Sequence, residues 1–151
     1  GCMAEKGQSV FLFGAKPGVA EQAGEKLRAQ FPGLRIAGTQ DGYFSDDAPI
    51  VAAINAAAPD LLLVCLGAPK QEKWAYSHWQ ELQIDCHCGT IGAVFDFYAG
   101  TIKRAPQWWQ RHGLEWLYRL AVEPRRMWRR YLIGNVVFLF NIIKEKRWKR
   151  N

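Results

Sequence analysis

The run Gly14-Ala15-Lys16-Pro17-Gly18 holds what a phosphate site needs: glycines that admit a close backbone, a lysine to neutralise charge and a proline that stiffens the turn. At the amino end of a helix, its N–H groups and Lys16 would face an anion together. It is neither a Walker loop nor a GxGxxG fingerprint, so an ordinary strand-to-helix turn is the alternative. A second run, Leu66-Gly67-Ala68-Pro69-Lys70-Gln71-Glu72-Lys73-Trp74, follows the most apolar stretch of the chain. Gly67 permits close approach, Pro69 sets the loop exit, and Lys70 with Gln71 presents a cation and an amide at a helix start. The alternative is a plain first turn in which Glu72 favours the helix dipole.

Other chemistry-bearing residues are weaker signals. Cys86-His87-Cys88 suggests zinc, but on a strand both sulfurs share one face and the imidazole takes the other. No second ligand pair follows, so no metal site is expected. Asp41 and Asp96 stand beside aromatics, where each could hydrogen-bond a sugar, although capping is the commoner role. Arg119, Arg126 and Arg129 are spaced by seven and three positions, close to two helical turns and one. If Pro124 only kinks the path, they share a face and suit a pyrophosphate through bidentate, charge-assisted bonds. A solvated basic face is the bland alternative.

Positioning these residues calls for alternating strands and helices. Residues 9–13 (SVFLF) are an apolar run, and Val19, Ala20, Ala23, Leu27 and Phe31 then follow helical spacing. Pro32 and Gly33 stop that helix, residues 34–38 form a second strand, and Asp46 or Asp47 caps a helix through Ile50, Val51, Ile54 and Ala58. Residues 61–66 (LLLVCL) lack polar alternation, so both faces of this strand should be covered, and it is the expected sheet centre. A helix over about 71–79, a weak strand over 84–88 and a short helix over 93–98 complete the pattern. Right-handed crossovers make this an α/β, Rossmann-like body over residues 1–102, with a parallel sheet of about four strands. Both candidate runs then fall at carboxyl ends of strands, where open α/β sheets bind ligands.

After residue 102 the character changes. Residues 1–102 carry seven Lys/Arg against eleven Asp/Glu, a net −4, whereas residues 103–151 carry thirteen against three, a net +10. Five of the seven tryptophans lie in that last third, which reads as a helical, basic, aromatic appendage seeking an anionic partner. Helices are expected over 106–112, 114–122 and 125 to about 147. The apolar stretch 131–143 is shorter than the roughly 20 residues a membrane span needs. Flanked by arginines and lysines, it resembles a helix in the membrane interface, where each cation near an anionic leaflet adds about 1 kcal/mol. A core or oligomer-interface helix is the alternative. Four cysteines are too few and too clustered for a disulfide scaffold, and no signal-peptide pattern precedes residue 9, so a reducing cytosolic setting is expected.

The ordered set Gly14-Ala15-Lys16-Pro17-Gly18, Gly42-Tyr43-Phe44, the run from Leu66 to Trp74, Phe95-Asp96-Phe97-Tyr98-Ala99-Gly100, Lys103-Arg104-Ala105-Pro106 and Gly113-Leu114-Glu115-Trp116-Leu117-Tyr118-Arg119-Leu120 resembles the WecG/TagA/CpsF family of bacterial glycosyltransferases. The resemblance spans nearly the whole chain. It implies inverting transfer of an N-acetylmannosamine-type sugar from a UDP donor to an undecaprenyl-pyrophosphate-linked acceptor, in cell-envelope polysaccharide or teichoic acid synthesis. The enzyme would sit peripherally on the inner face of the bacterial membrane and need no metal or other cofactor. By the same resemblance Gln71 contacts the donor, and Arg119, Arg126 and Arg129 steady the departing UDP. Gly14, Lys16, Tyr43, Gly67, Lys70, Glu72 and Arg104 are the candidate substrate contacts.

Members of the family carry further chain ahead of the strand at Ser9, including an aspartate proposed to deprotonate the acceptor. Little or no turnover is therefore expected of these 151 residues alone, and self-association into a homo-oligomer is expected through the face left open. Two other classes compete: a noncatalytic module that binds a UDP-sugar or lipid pyrophosphate, and a nucleic-acid-binding protein using the Trp-rich basic tail. The latter ranks last, because the family pattern already gives those residues a role, and no nucleic-acid partner is expected.

Overall fold

The computed structural model describes residues 2–83, 87–101, 105–122 and 124–128, with Arg126 and Met127 by their backbone alone. Arg104, Arg129 and the apolar stretch 131–143 lie outside the described residues. The chain divides into two compact units, Gly1–Lys103 and Arg104–Asn151.

The first unit runs α1 (Cys2–Glu5), β1 (Ser9–Gly14), α2 (Val19–Gln30), β2 (Arg35–Gln40), α3 (Ala48–Ala57), β3 (Leu61–Cys65), α4 (Lys70–His78), β4 (His87–Thr90) and α5 (Val94–Ala99). Its four strands form one sheet in the order β2-β1-β3-β4, with every adjacent pair parallel. The expected α/β fold with a four-stranded parallel sheet is what forms.

Both sides of the sheet are covered, as a parallel sheet requires. Phe11 and Phe13 of β1 and Leu62 and Val64 of β3 pack with Ile50, Val51 and Ile54 of α3 and Trp74 of α4. Val10, Leu12 and Cys65 face Val19, Ala20 and Ala23 of α2 and Phe95 and Ala99 of α5. Alternate residues of β1 thus serve opposite cores, which is why the run shows no polar alternation. The inner strands are β1 and β3, and β1, rather than β3, is buried at every position.

Several element boundaries differ from expectation. The last strand runs to Thr90, two residues past its expected end, while residues 84–86 of the expected run lie outside the described residues: His87, Cys88, Gly89 and Thr90 pair with Leu61 to Val64, and the small Gly89 and Thr90 carry little strand signal. The short α1 was not expected; it tucks beneath the turn at Gly33, where an added Cβ would meet the Ala4 carbonyl oxygen at 2.3 Å. Asp46, not the N-cap residue Asp47, accepts a hydrogen bond from the helix start, the Ala48 N–H at 3.1 Å.

The described part of the second unit holds α6 (Gln107–Arg111), α7 (Glu115–Val122) and α8 (Pro124–Trp128). Pro124 opens α8, a position where a missing N–H costs nothing. Trp109 packs near Tyr118, with ring centroids 6.0 Å apart. Trp108, Trp116, Leu117, Val122 and Trp128 are exposed.

Candidate functional site

From β1 the chain crosses to β2 on one side, while β3 lies on the other, so the connections diverge at the carboxyl ends of β1 and β3. A divergence of this kind is the place where such sheets take ligands. Four connections meet at this rim: residues 14–18, 41–47, 66–69 and 91–93. The two runs singled out by composition, distant in sequence, become neighbours because Gly14 pairs with Cys65.

Backbone hydrogen bonds stitch the rim. The Ala15 N–H donates to the Cys65 carbonyl and the Gly42 N–H to the Ala15 carbonyl, each at 2.9 Å. Gly14 is obligatory, because at φ +125° a Cβ would sit 2.3 Å from the Cys65 oxygen. Gly42 is nearly as confined, with Leu66 Cδ2 2.8 Å from any added Cβ. Phe44 anchors the 41–47 loop by packing on Phe13 with centroids 5.5 Å apart.

The candidate residues fall into distinct environments. Lys16 is exposed in the first turn of the rim, and α2 starts at Gly18, which supplies no side-chain cap. At this helix end the Val19 N–H donates back to the Lys16 carbonyl at 3.0 Å, so the turn itself supplies part of the cap. Tyr43 is 68% exposed, its N–H held by Asp41 Oδ1 at 2.7 Å, so Asp41 closes a turn rather than capping a helix. Lys70 reaches across the rim: its Nζ lies 3.5 Å from the Gly42 carbonyl oxygen and 4.5 Å from the Phe44 ring centre.

Gln71, by contrast, is only 4% exposed. Its Oε1 accepts the Gly67 and Gly92 N–H groups at 3.1 Å each, and its Nε2 donates to Glu72 Oε1 at 2.8 Å. Asp96 takes the Thr101 hydroxyl at 3.1 Å, which ties the end of α5 and is not a helix N-cap. Arg119, in the second unit, pairs with Glu115 at 2.9 Å, while Arg126 contributes only its place on α8.

Sequence reasoning missed two participants. Cys65 Sγ donates to the Gly92 carbonyl; burial pushes this thiol's pKa up, keeping the donor proton in place. Gly92 became visible only once the strand was extended to Thr90; a glycine just past a strand end was the available signal. Among the described residues no group of three His, Cys, Asp or Glu side chains could hold a metal ion, and Cys86 is not described. A separate groove of about 590 Å³ runs along α4 and β4, lined by Tyr76, Trp79, Cys88 and Thr90 among others. It shares only Glu72 with the candidate residues, so the switch-point rim, where four connections converge, is the better site.

The chain is similar in sequence to known proteins. Residues 2–151 match the model of the glycosyl transferase WecG/TagA/CpsF family. A relative from Bacillus subtilis, an N-acetylglucosaminyldiphosphoundecaprenol N-acetyl-beta-D-mannosaminyltransferase, is 35% identical over 146 residues, covering 97% of this chain and 56% of its own. Its namesake from Bacillus spizizenii is 38% identical over 128 residues, which is 85% of this chain and 49% of that protein. The chain thus spans about half the length of the curated relatives it matches.

Proposed function

The chain belongs to the WecG/TagA/CpsF family of glycosyl transferases, and from that premise we propose that its switch-point rim binds the diphosphate of a UDP-sugar donor. The protein it represents then transfers an N-acetylmannosamine-type sugar to an undecaprenyl-pyrophosphate-linked acceptor. The observation that carries this reading is the junction of the 14–18 and 66–69 turns at the carboxyl ends of β1 and β3. There an exposed lysine and a helix end without a side-chain cap share one rim.

In the reaction an acceptor oxygen bonds to the anomeric carbon as the carbon–oxygen bond to UDP breaks. The electron pair leaves on the β-phosphate oxygen, and the centre inverts. Lys16 and the α2 amides would hold the diphosphate, while Gly67, with no atom near its Cβ position, would let the backbone approach it; Gly14 and Gly42 give the Cys65 backbone and the Leu66 side chain room within the rim. Tyr43 and Lys70, on facing connections, would border the sugar. Arg119, Arg126 and Arg129 are assigned to the departing UDP, where fixed cations help most because charge develops there, and Arg104 stays a candidate substrate contact. Deprotonation of the acceptor hydroxyl is assigned to no residue of this chain.

The second unit supports a membrane-facing role. Trp108, Trp116 and Trp128 are exposed together with Leu117 and Val122, near Arg111 and Arg125, a mixture suited to an anionic lipid interface. No helix among the described residues is long and apolar enough to cross a membrane.

Transfer is tested with UDP-N-acetylmannosamine and an N-acetylglucosaminyl-diphosphate lipid acceptor, using protein of the relatives' length. Release of UDP with an elongated lipid is the expected result. Failure to transfer from any UDP-sugar would overturn the transferase reading; UDP binding without transfer would favour a binding module.

A further inference from the structure

We propose that Gln71 and Cys65 are positioning residues that clamp the turn after β4 into the rim, acting through the backbone of Gly92 rather than by touching a ligand. The inference rests on the donor-site reading and changes the part Gln71 plays in it. Gly92 is gripped on both sides of its peptide unit. Its N–H donates to Gln71 Oε1 at 3.1 Å, and its carbonyl accepts from Cys65 Sγ.

Two strand ends and a helix start meet in this clamp. Cys65 closes β3, Gln71 sits in the first turn of α4, and the held turn follows β4, whose ladder is extended by the Ile91 N–H donating to the Val64 carbonyl at 3.0 Å. Because Gln71 Oε1 also accepts the Gly67 N–H at 3.1 Å, one oxygen sets the spacing between the 66–69 and 91–93 turns. Both clamping side chains are buried, Gln71 at 4% and Cys65 at 5% exposure. An oxygen already holding two N–H groups has little capacity left for a ligand. The bond from Gln71 Nε2 to Glu72 Oε1 at 2.8 Å fixes which end of the amide faces inward.

That last bond allows a decisive exchange. Gln71→Glu keeps an acceptor for both backbone N–H groups but sets two carboxylates side by side. Adding Glu72→Gln restores the pair with donor and acceptor reversed, and it leaves no amide nitrogen on residue 71. Amide hydrogen exchange at Gly67 and Gly92 is followed by NMR, and UDP affinity by calorimetry, in both single variants, the double variant and Gln71→Ala.

Gln71→Ala is expected to speed exchange at Gly67 and Gly92 and to weaken UDP binding, each by about tenfold or more, a change of about 1.4 kcal/mol. Gln71→Glu should do the same in part, and the double exchange should bring exchange back to within about threefold of the unaltered chain and UDP affinity to within about threefold of Glu72→Gln alone. Cys65→Ala, which leaves Gln71 intact, should loosen Gly92 without affecting Gly67, and it serves if Gln71→Ala fails to fold. Restored protection with UDP affinity still well below that of Glu72→Gln alone would show that the Gln71 amide nitrogen touches the ligand and would overturn the proposal. Unchanged exchange at Gly92 in Gln71→Ala and Cys65→Ala would also overturn it. If the unaltered chain binds no UDP, the donor reading fails, and the clamp is judged on exchange at Gly92 alone.

Discussion

Asp60 shows how one side chain ties two strands at the end of the sheet away from the site. Its Oδ2 accepts the Ser9 N–H at 2.7 Å and the Ser9 hydroxyl at 2.8 Å. The backbone bond from Ser9, then the hydroxyl, hold its carboxyl below the usual carboxylate pKa, with Arg35 adding to the effect. A carboxyl depressed in the folded state stabilises fully above its ordinary unfolded value, and that contribution is lost as pH falls through the folded value. Thermal melting of Asp60→Asn is therefore expected to start from a lower midpoint at pH 7 and to fall less steeply on acidification than the unaltered protein; parallel curves would contradict this. At this scale the sequence was partly legible. The glycines, Lys16 and Lys70 announced themselves by type and spacing. Asp47 did not: it reads as a helix cap, yet its Oδ1 accepts Trp74 Nε1 at 2.6 Å, a partner 27 positions away.

Helices α3 and α4 are joined by that bond and by His78, whose Nε2 lies 3.5 Å from Asp47 Oδ2 and whose Nδ1 lies 3.2 Å from Glu81 Oε2. Trp74 also packs edge-on against Phe13 at 4.6 Å, so the same indole supports the floor beneath the 41–47 loop. Trp74→Phe keeps most of the packing and removes the indole donor from Asp47, whose part-exposed carboxylate water can still reach, which should cost about 0.5–1.5 kcal/mol in urea unfolding. A change smaller than a few tenths would show that the bond does not hold the loop. The elements themselves were readable wherever burial left a continuous apolar run or a 3.6-residue period, as in β1, β3 and α2. Where the chain is short or made of small residues, as in α1 and β4, pairing partners rather than local composition decide the element, and the ends moved accordingly.

Across the whole molecule, the acidic first two-thirds and the basic last third are distinct in charge, at −4 and +10. Trp116→Ser combined with Trp128→Ser is expected to lower binding to phosphatidylglycerol vesicles by about tenfold, and raised salt should weaken the unaltered chain further. Equal sedimentation with anionic and neutral vesicles would remove the lipid role. The order of motifs made the family legible at this scale, and the family match over residues 2–151 agrees with it. The arginine set was only half accessible to the structure: Arg119 is seen paired with Glu115, whereas Arg104 and Arg129 lie outside the described residues. Helical spacing alone does not set Arg126 and Arg129 against Arg119, because Pro124 stands between them.

Titrating isotope-labelled chain with UDP while following amide shifts tests the central claim most directly. Saturable movement centred on Gly14, Lys16, Gly18, Gly42 and Gly67, abolished or weakened about tenfold by Lys16→Ala, is the expected result. Shifts confined to the α4 and β4 groove around Tyr76 and Trp79, or no saturable shift at all, would contradict the assignment of the rim as the donor site.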